Sequence, residues 1–142
     1  MQDLFGKEKL RAAEKKYVYE LASCYFENQG NGQFVKRPLP LAAQFSVVND
    51  MVVDDFNSDG YKDLLIVGNN FEISTQLGRL DALHGLFLQN DQNGGFMERF
   101  DTTVDISGAA KTVEKVTING QKSYIVGRNN DSPIFLIKKE KE

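Results

Sequence analysis

Residues 54–69 read "DDFNSDGYKDLLIVGN" and follow directly on the apolar run "MVV" at 51–53. Two apolar runs on either side of a polar segment with Asp-Gly at 59–60 are typical of a β-hairpin, because both residues tolerate positive φ. A hairpin loop needs only about two to five residues, whereas this polar segment is longer and has an acid at 55, 59 and 63. The stretch therefore predicts two strands joined by a loop that does more than turn the chain.

The spacing of oxygen-bearing side chains in this loop suits a calcium ion, which takes six to eight hard oxygen ligands. With Asp55 as position 1, side-chain oxygens recur at positions 3, 5 and 9, and Gly60 permits a sharp turn at position 6. These are the first nine positions of an EF-hand-type loop, although Ile66 replaces the glutamate of position 12 and the flanking runs are β in character. The predicted Ca²⁺ ligands are Asp55, Asn57, Asp59, Asp63 and the backbone carbonyl of Tyr61.

Alternatives to a calcium site follow from the same residues. Asn, Ser, Asp and Gly are ordinary turn formers, so a structural turn without metal stays open, although three neighbouring carboxylates repel one another unless a cation lies between them. Mg²⁺ is less suited because it demands a tighter octahedron, and a ligand set without Cys or His disfavours zinc and copper. Asp54 alternates to the other face of its strand and is not predicted as a ligand.

The rest of the chain predicts a mainly β fold with antiparallel sheets. A helix is expected from about Leu4 or Lys7 to about Lys16, with Asp3 as its N-cap, so that residues 1–16 form a helical segment. From Tyr17 onward, nine or ten short strands alternate with turn signals such as "NG" at 119–120. The predicted domains are therefore the helical segment, a β domain over 17–138 and a charged tail over 139–142.

Two segments of the chain are echoed about 60 residues later. "SCYFENQGNGQF" (23–34) aligns without gaps on "GLFLQNDQNGGF" (85–96), and "DGYKDLLIVGNN" (59–70) aligns with a one-residue slip on "NGQKSYIVGRNN" (119–130). The agreement between the two periods predicts a duplicated unit of about four strands, the size of a β-propeller blade. At the second copy of the loop, the predicted ligand side chains are replaced by Lys115, Thr117, Asn119 and Ser123. A plain hairpin without metal is expected there.

Composition excludes several classes of function. Seventeen basic against twenty acidic side chains give a net charge of −3 without a basic patch, so no nucleic-acid partner is expected. No apolar stretch approaches the length of a transmembrane helix, and residues 1–20 lack the apolar region of a signal peptide. The single cysteine, Cys24, allows no internal disulfide, and the single histidine, His84, has no nucleophile beside it in the sequence. The chain is therefore not predicted to be an enzyme, and no catalytic residue is assigned.

The stretch "DDFNSDGYKDLLIVGN" resembles the FG-GAP/VCBS repeat, whose pattern is D-x-[DN]-x-D-G-x-x-D-[LI]. "YFENQGNGQF" and "FLQNDQNGGF" are similar to the partner strands of that repeat, usually written N-x-G-x-G-x-F. The likeness covers most of residues 17–137 and extends to the C-terminal part of large FG-GAP/VCBS proteins of Bacteroidetes type. The resemblance implies four-stranded blades of β-propeller type, of which this chain would hold two to two and a half. It also implies calcium at the five predicted ligands.

The resemblance further implies a binding or scaffolding module that recognises a protein or glycan. The parent protein would be extracellular, periplasmic or associated with an outer membrane. Because a full propeller has about four to eight blades, the chain is expected either to be a fragment or to protect its open sheet edges by self-association. One alternative is an accessory fragment of a larger secreted enzyme whose active site lies outside this chain. Another is a structural domain that binds no metal.

Overall fold

A computed structural model describes residues 6–73, 76, 78–99 and 104–137. Over these residues the fold is mainly β, with antiparallel sheets and one short α-helix, as the sequence predicted. The described helices are α1 (Lys7–Ala12) and a 3-10 helix (Leu41–Gln44). Its strands are β1 (Cys24–Gly30), β2 (Gln33–Pro38), β3 (Val48–Asp54), β4 (Asp63–Gly68), β5 (Leu86–Asn90), β6 (Phe96–Glu98), β7 (Ala110–Ile118), β8 (Gln121–Arg128) and β9 (Ile134–Ile137).

The strands form three sheets in which neighbours along the chain are also neighbours in space. The first sheet contains β1 and β2, the middle sheet has the order β3-β4-β5-β6, and the third sheet has the order β7-β8-β9. Every pairing is antiparallel. Among the described residues, the four-stranded unit expected from the sequence is complete only in the middle sheet. Segments 23–34 and 85–96, which align with each other, contain β1 with the start of β2 and β5 with the start of β6.

The helix is shorter than the sequence predicted, because α1 ends at Ala12 and not near Lys16. None of its residues is buried, and its N-cap residue Gly6 provides no capping side chain. An isolated helix of fewer than about 12 residues is marginal without tertiary contacts, and this helix has no apolar face packed on a sheet. The predicted N-cap Asp3 and the predicted tail 139–142 lie outside the described residues.

Strand β4 lies at the centre of the fold and is buried along its whole length. Leu64 and Ile66 join one apolar cluster with Leu39 and Ala43, which follow the first sheet. Leu65 and Val67 point to the opposite face and join a second cluster formed with the third sheet. A strand buried on both faces reads as a continuous apolar run, which explains "LLIV" at 64–67. The middle sheet thus has an apolar cluster on each face, one shared with the third sheet and one shared with Tyr25 of the first sheet and the segment that follows it.

Polar side chains of β3 attach the middle sheet to the third sheet beside this apolar contact. The amide of Asn49 donates to the carbonyl of Ala110 at 2.7 Å. The carboxylate of Asp50 accepts from the Thr112 hydroxyl at 2.8 Å and from the Val113 N–H at 2.9 Å. Burial would raise the pKa of Asp50, but the N–H of Val113 and the hydroxyl of Thr112 lower it below its ordinary value. The two sheets are therefore joined by directional bonds as well as by apolar packing.

The end of β4 is held by Asn69, whose side chain forms four hydrogen bonds. Asn69 is buried with a φ of 84°, a left-handed value that asparagine tolerates better than most residues. Its Oδ1 accepts from the Ser46 hydroxyl (2.8 Å) and the Leu83 N–H (3.0 Å). Its Nδ2 donates to the carbonyls of Leu83 (2.6 Å) and Gly108 (3.0 Å). One side chain thus joins the segments that precede β3, β5 and β7.

We predict that Asn69→Ala lowers the free energy of unfolding by about 3 kcal/mol, because it leaves several buried partners without a hydrogen bond. Asn130→Ala is the matched control, since Asn130 also has a positive φ (54°) but is exposed. It should cost no more than about 1 kcal/mol from backbone strain. Urea unfolding of the two variants measures the difference. Equal losses would show that the left-handed backbone, and not the hydrogen bonds, sets the cost.

Candidate metal centre

The 55–63 loop, which begins at Asp55 and ends on the first residue of β4, joins the first two strands of the middle sheet. Two residues with positive φ, Ser58 at 66° and Gly60 at 90°, reverse the chain. The cross-strand pair at the base of the loop is Asp54 with Asp63. All five predicted ligands therefore lie on one loop whose ends are fixed by a sheet.

Asp55 organises the tip of this loop. Its Oδ1 accepts from the backbone N–H groups of Ser58 (2.6 Å) and Asp59 (3.1 Å), and its Oδ2 accepts from the N–H of Gly60 (2.9 Å). Three consecutive backbone donors thus point to one carboxylate. The loop is wrapped around Asp55 in the way that an Asx-type turn is wrapped around its first residue.

Asn57 and Asp59 belong to the same hydrogen-bond network. The N–H of Asp59 is shared between Oδ1 of Asp55 and Oδ1 of Asn57, so those two oxygens lie side by side. The Asn57 amide donates to Asp59 Oδ2 at 2.8 Å, and Asp59 Oδ1 accepts from the Tyr61 N–H at 2.8 Å. The pKa of Asp59 is lowered, first by the Tyr61 N–H and then by the Asn57 amide. These two donors therefore stabilise the ionised form of Asp59.

Asp63 differs from the other predicted ligands because it is fully buried. Its Oδ2 accepts from the N–H of Phe56 at 3.2 Å, and its Oδ1 accepts from the N–H of Asn90 at 2.9 Å. The Asn90 amide returns a bond to the carbonyl of Lys62 at 3.1 Å. Asp63 thus connects the loop, the start of β4 and the end of β5, a role that the sequence pattern did not reveal.

The structure brings Asp55, Asn57 and Asp59 together directly, and Asp63 only through the backbone of Phe56. Across the described residues, no three His, Cys, Asp or Glu side chains come together in one group. The donor chemistry nevertheless fits a hard cation. A carboxylate offers about four lone-pair sites, and the hydrogen bonds described above leave some of them unused on Asp55, Asp59 and Asp63. The residues fit Ca²⁺ in type, on a loop that its own hydrogen bonds already shape.

Asp54, predicted only as a non-ligand, forms a separate buried ionic cluster. Its carboxylate accepts from Lys115 Nζ at 2.8 Å, from Lys122 Nζ at 3.2 Å and from the Tyr124 hydroxyl at 2.9 Å. Burial would raise the pKa of Asp54, but the donors from Lys115, Tyr124 and Lys122 hold it far below the ordinary value. Burial and the bond to Asp54 raise the pKa of Tyr124. Lys115 and Lys122, which lie in the segment aligned with the 55–63 loop, therefore bind the last residue of β3.

A shallow cavity of about 430 Å³ lies between the first sheet and the turn that joins β5 and β6. Its wall combines aromatic and charged side chains, among them Tyr25, Lys36, Arg37, Asp91 and Phe96. The cations are already paired, Lys36 with Glu20 and Arg37 with Glu27. Such a mixture of flat apolar rings and polar groups suits a polar ligand better than an apolar one.

The remaining sequence predictions about reactive residues concern His84 and Cys24. His84 is exposed, and its Nδ1 lies 3.5 Å from Oδ1 of Asp105. Cys24 is half-buried at the start of β1, and its thiol donates to the carbonyl of Ala22 at 3.2 Å. Within the described residues, no helix is long and apolar enough to pass through a lipid bilayer.

We predict that Asp54→Asn lowers the free energy of unfolding by about 2 kcal/mol at pH 7. The amide nitrogen would face the Lys115 and Lys122 donors, and charge-assisted bonds of a buried carboxylate would be lost. The lysines are half-exposed and can regain water, which keeps the loss moderate. Asp81→Asn, at an exposed aspartate, is the control. Chemical denaturation of both variants checks the prediction, which fails if the two variants are equally stable.

The contribution of Asp54 should also depend on pH. Because the folded-state pKa of Asp54 is lowered, its stabilisation is present above the unfolded pKa of about 4 and is lost as the pH falls toward the folded pKa. The stability difference between the wild type and Asp54→Asn should therefore narrow steadily from about pH 5 to pH 2. Denaturation curves collected across that range measure it. A constant difference would contradict the assigned role of the charge.

Comparison of the chain with protein-family models, with curated proteins and with solved structures found no match. The likeness to the FG-GAP/VCBS repeat therefore stays a prediction made from the loop motif and its partner strands. The function has to be inferred from the geometry of the loop and from the way in which the sheets carry it.

Proposed function

We propose that this chain is a non-catalytic, calcium-binding module of β-propeller type that serves binding or scaffolding in an exported or cell-surface protein. The observation that carries the proposal is the position of the 55–63 loop. It joins β3 and β4 next to their cross-strand pair Asp54–Asp63, and β4 is buried on both faces. An ion held by this loop would fix the central hairpin of the fold.

The residues proposed to hold Ca²⁺ are Asp55, Asn57, Asp59 and Asp63, together with the carbonyl of Tyr61. When bound, the ion would neutralise the repulsion among three carboxylates and cross-link the two ends of the loop. The chain's own part is to keep the oxygens in place, which the backbone N–H groups of residues 58–60 do through Asp55. This arrangement supports a stabilising ion, because the proposed ligands lie on one loop that joins β3 and β4.

The three sheets also support the propeller-type part of the proposal. Each consists of antiparallel strands in up-and-down order, and an apolar cluster lies on each face of the middle sheet. Blades of a propeller are four-stranded sheets of this kind. The cavity beside Tyr25 and Phe96 is the concave surface proposed for a protein or glycan ligand. Calcium at the millimolar level of extracellular fluids would fill a loop with a Kd of about 10⁻⁴ to 10⁻³ M.

We predict that calcium at about five times its Kd raises the free energy of unfolding by about 1 kcal/mol relative to EDTA. For a chain of this size, the melting temperature should rise by about 3 °C. Scanning calorimetry in calcium and in EDTA measures the effect. A melting temperature that does not respond to either would contradict the calcium proposal.

Two variants identify the loop as the origin of the calcium response. Asp59→Asn removes a charge and keeps an acceptor for the Tyr61 N–H, so it should abolish the response without unfolding the chain. Asp91→Asn is the matched control, because Asp91 accepts from the N–H groups of Asn93 and Gly95 in another exposed turn. It should respond like the wild type. Titration with terbium, whose emission the adjacent Tyr61 ring would sensitise, provides a second measure of binding.

A further inference from the structure

The three sheets follow one another in chain order, so each has one face toward the preceding sheet and one face toward the following sheet. We call the face toward the preceding sheet the leading face and the face toward the following sheet the trailing face. In the middle sheet, Leu64 and Ile66 lie on the leading face, and Leu65 and Val67 lie on the trailing face. Successive residues of a strand point to opposite faces, and cross-strand partners point to the same face. One assigned residue therefore gives the faces of the other residues in its strand and of their partners.

The leading face of the first sheet exposes two phenylalanine rings. Tyr25 lies on the trailing face, because its ring packs edge-on against Phe96 of the middle sheet with 5.3 Å between centroids. The next residue, Phe26, therefore lies on the leading face, as does Phe34, whose cross-strand partner Asn28 is two residues beyond Phe26. Phe26 is 64% exposed and Phe34 is 60% exposed.

The trailing face of the third sheet is apolar and exposed in the same way. Ile134 and Leu136 of β9 pack against the cluster shared with the middle sheet. Phe135 and Ile137 alternate with them and lie on the trailing face, where they are 54% and 58% exposed. Ile125, the cross-strand partner of Phe135, continues this surface onto β8. The fold therefore leaves one open apolar face at each end of the stack.

The aligned positions in the middle sheet show what covers such a face. By the alignment of 23–34 on 85–96, Phe26 corresponds to Leu88 and Phe34 corresponds to Phe96. Leu88 is fully buried in the cluster that contains Leu39, and Phe96 packs against Tyr25. The residue equivalent to Phe34 is therefore covered by a ring of the preceding sheet, and the residue equivalent to Phe26 is covered by the segment that follows that sheet. Within this chain, the middle and third sheets share an apolar cluster, and the first sheet contacts the middle sheet through Tyr25.

We infer that two copies of this chain associate head to tail, with the leading face of one copy's first sheet packed on the trailing face of the other copy's third sheet. Because the two faces differ, the contact is heterologous, and two such contacts close a ring. Two copies would bring six sheets together, within the four to eight blades of a propeller. This inference shares the propeller-type stacking of the proposed function but does not depend on calcium.

The test uses one blocking variant for each face, Phe34→Glu and Phe135→Glu. A glutamate in an apolar contact must lose its water, which should weaken association by about a hundredfold or more. Analytical ultracentrifugation should show a dimer for the wild type and a monomer for each variant alone. An equimolar mixture of the two variants should regain a dimer, because one leading face and one trailing face remain intact. Met97→Glu, at a 47% exposed residue of the middle sheet, is the control and should dimerise like the wild type.

Several results would overturn the inference. A wild type that stays monomeric at high concentration would do so, as would a mixture of variants that stays monomeric. Dimerisation of either variant alone would indicate contact between like faces instead. All of the substituted side chains are exposed, so each variant is expected to fold. Circular dichroism verifies this. Repeating the wild-type measurement in EDTA separates the two proposals: a dimer that persists without calcium keeps this inference even if the calcium proposal fails.

Discussion

Burial of β4 on both faces is the constraint on which the rest of the structure depends. Two apolar clusters, one around Leu64 and Ile66 and the other around Leu65 and Val67, meet at this strand. A strand that contributes to two cores must be fixed in register, because a slip by one residue would exchange its two faces. Both ends of β4 are accordingly tied by buried polar groups, Asp63 at the start and Asn69 just beyond the end. The apolar run supplies the driving force, and these two side chains set the register.

The buried polar groups link the sheets and their connections, because each forms hydrogen bonds or ion pairs with several segments. Asn69 holds backbone groups from two different connections, and Asp63 holds the loop and β5. Asp54 does the same with side chains of the third sheet. In the described residues, no buried side-chain nitrogen or oxygen lacks a hydrogen-bond partner. An unpaired buried polar group lowers the stability of the fold. These interactions therefore specify one arrangement of the sheets among those that apolar packing alone would allow.

Much of the fold could be predicted from local patterns, and the exceptions have physical causes. Alternating apolar runs and Asn-Gly turns indicated the strands correctly, as at Asn119 and Gly120, which both have positive φ. The helix was predicted too long because lysine-rich and alanine-rich composition reports propensity but not the packing that a short helix needs. The loop residues were predicted as ligands from their spacing, whereas the burial of Asp63 and the partners of Asp54 depend on residues far away in the chain. Lys115 and Lys122, which replace or adjoin ligand positions in the second loop copy, were the one local signal for the Asp54 cluster.

The same hydrogen bonds that shape the 55–63 loop determine what an ion can add to it. In a loop that had to be ordered by calcium, the cost of ordering would reduce the affinity. Here, backbone N–H groups already hold Asp55 and Asp59, and Asp63 is fixed by two strands. These donors also stabilise the ionised carboxylates without a cation, so the ion is expected to add a modest increment and not to fold the chain. Each sheet is stable through its packing and its buried polar groups. Neither hairpin therefore needs acidic residues in its loop in order to fold, and the hairpin at Asn119 forms its turn without them.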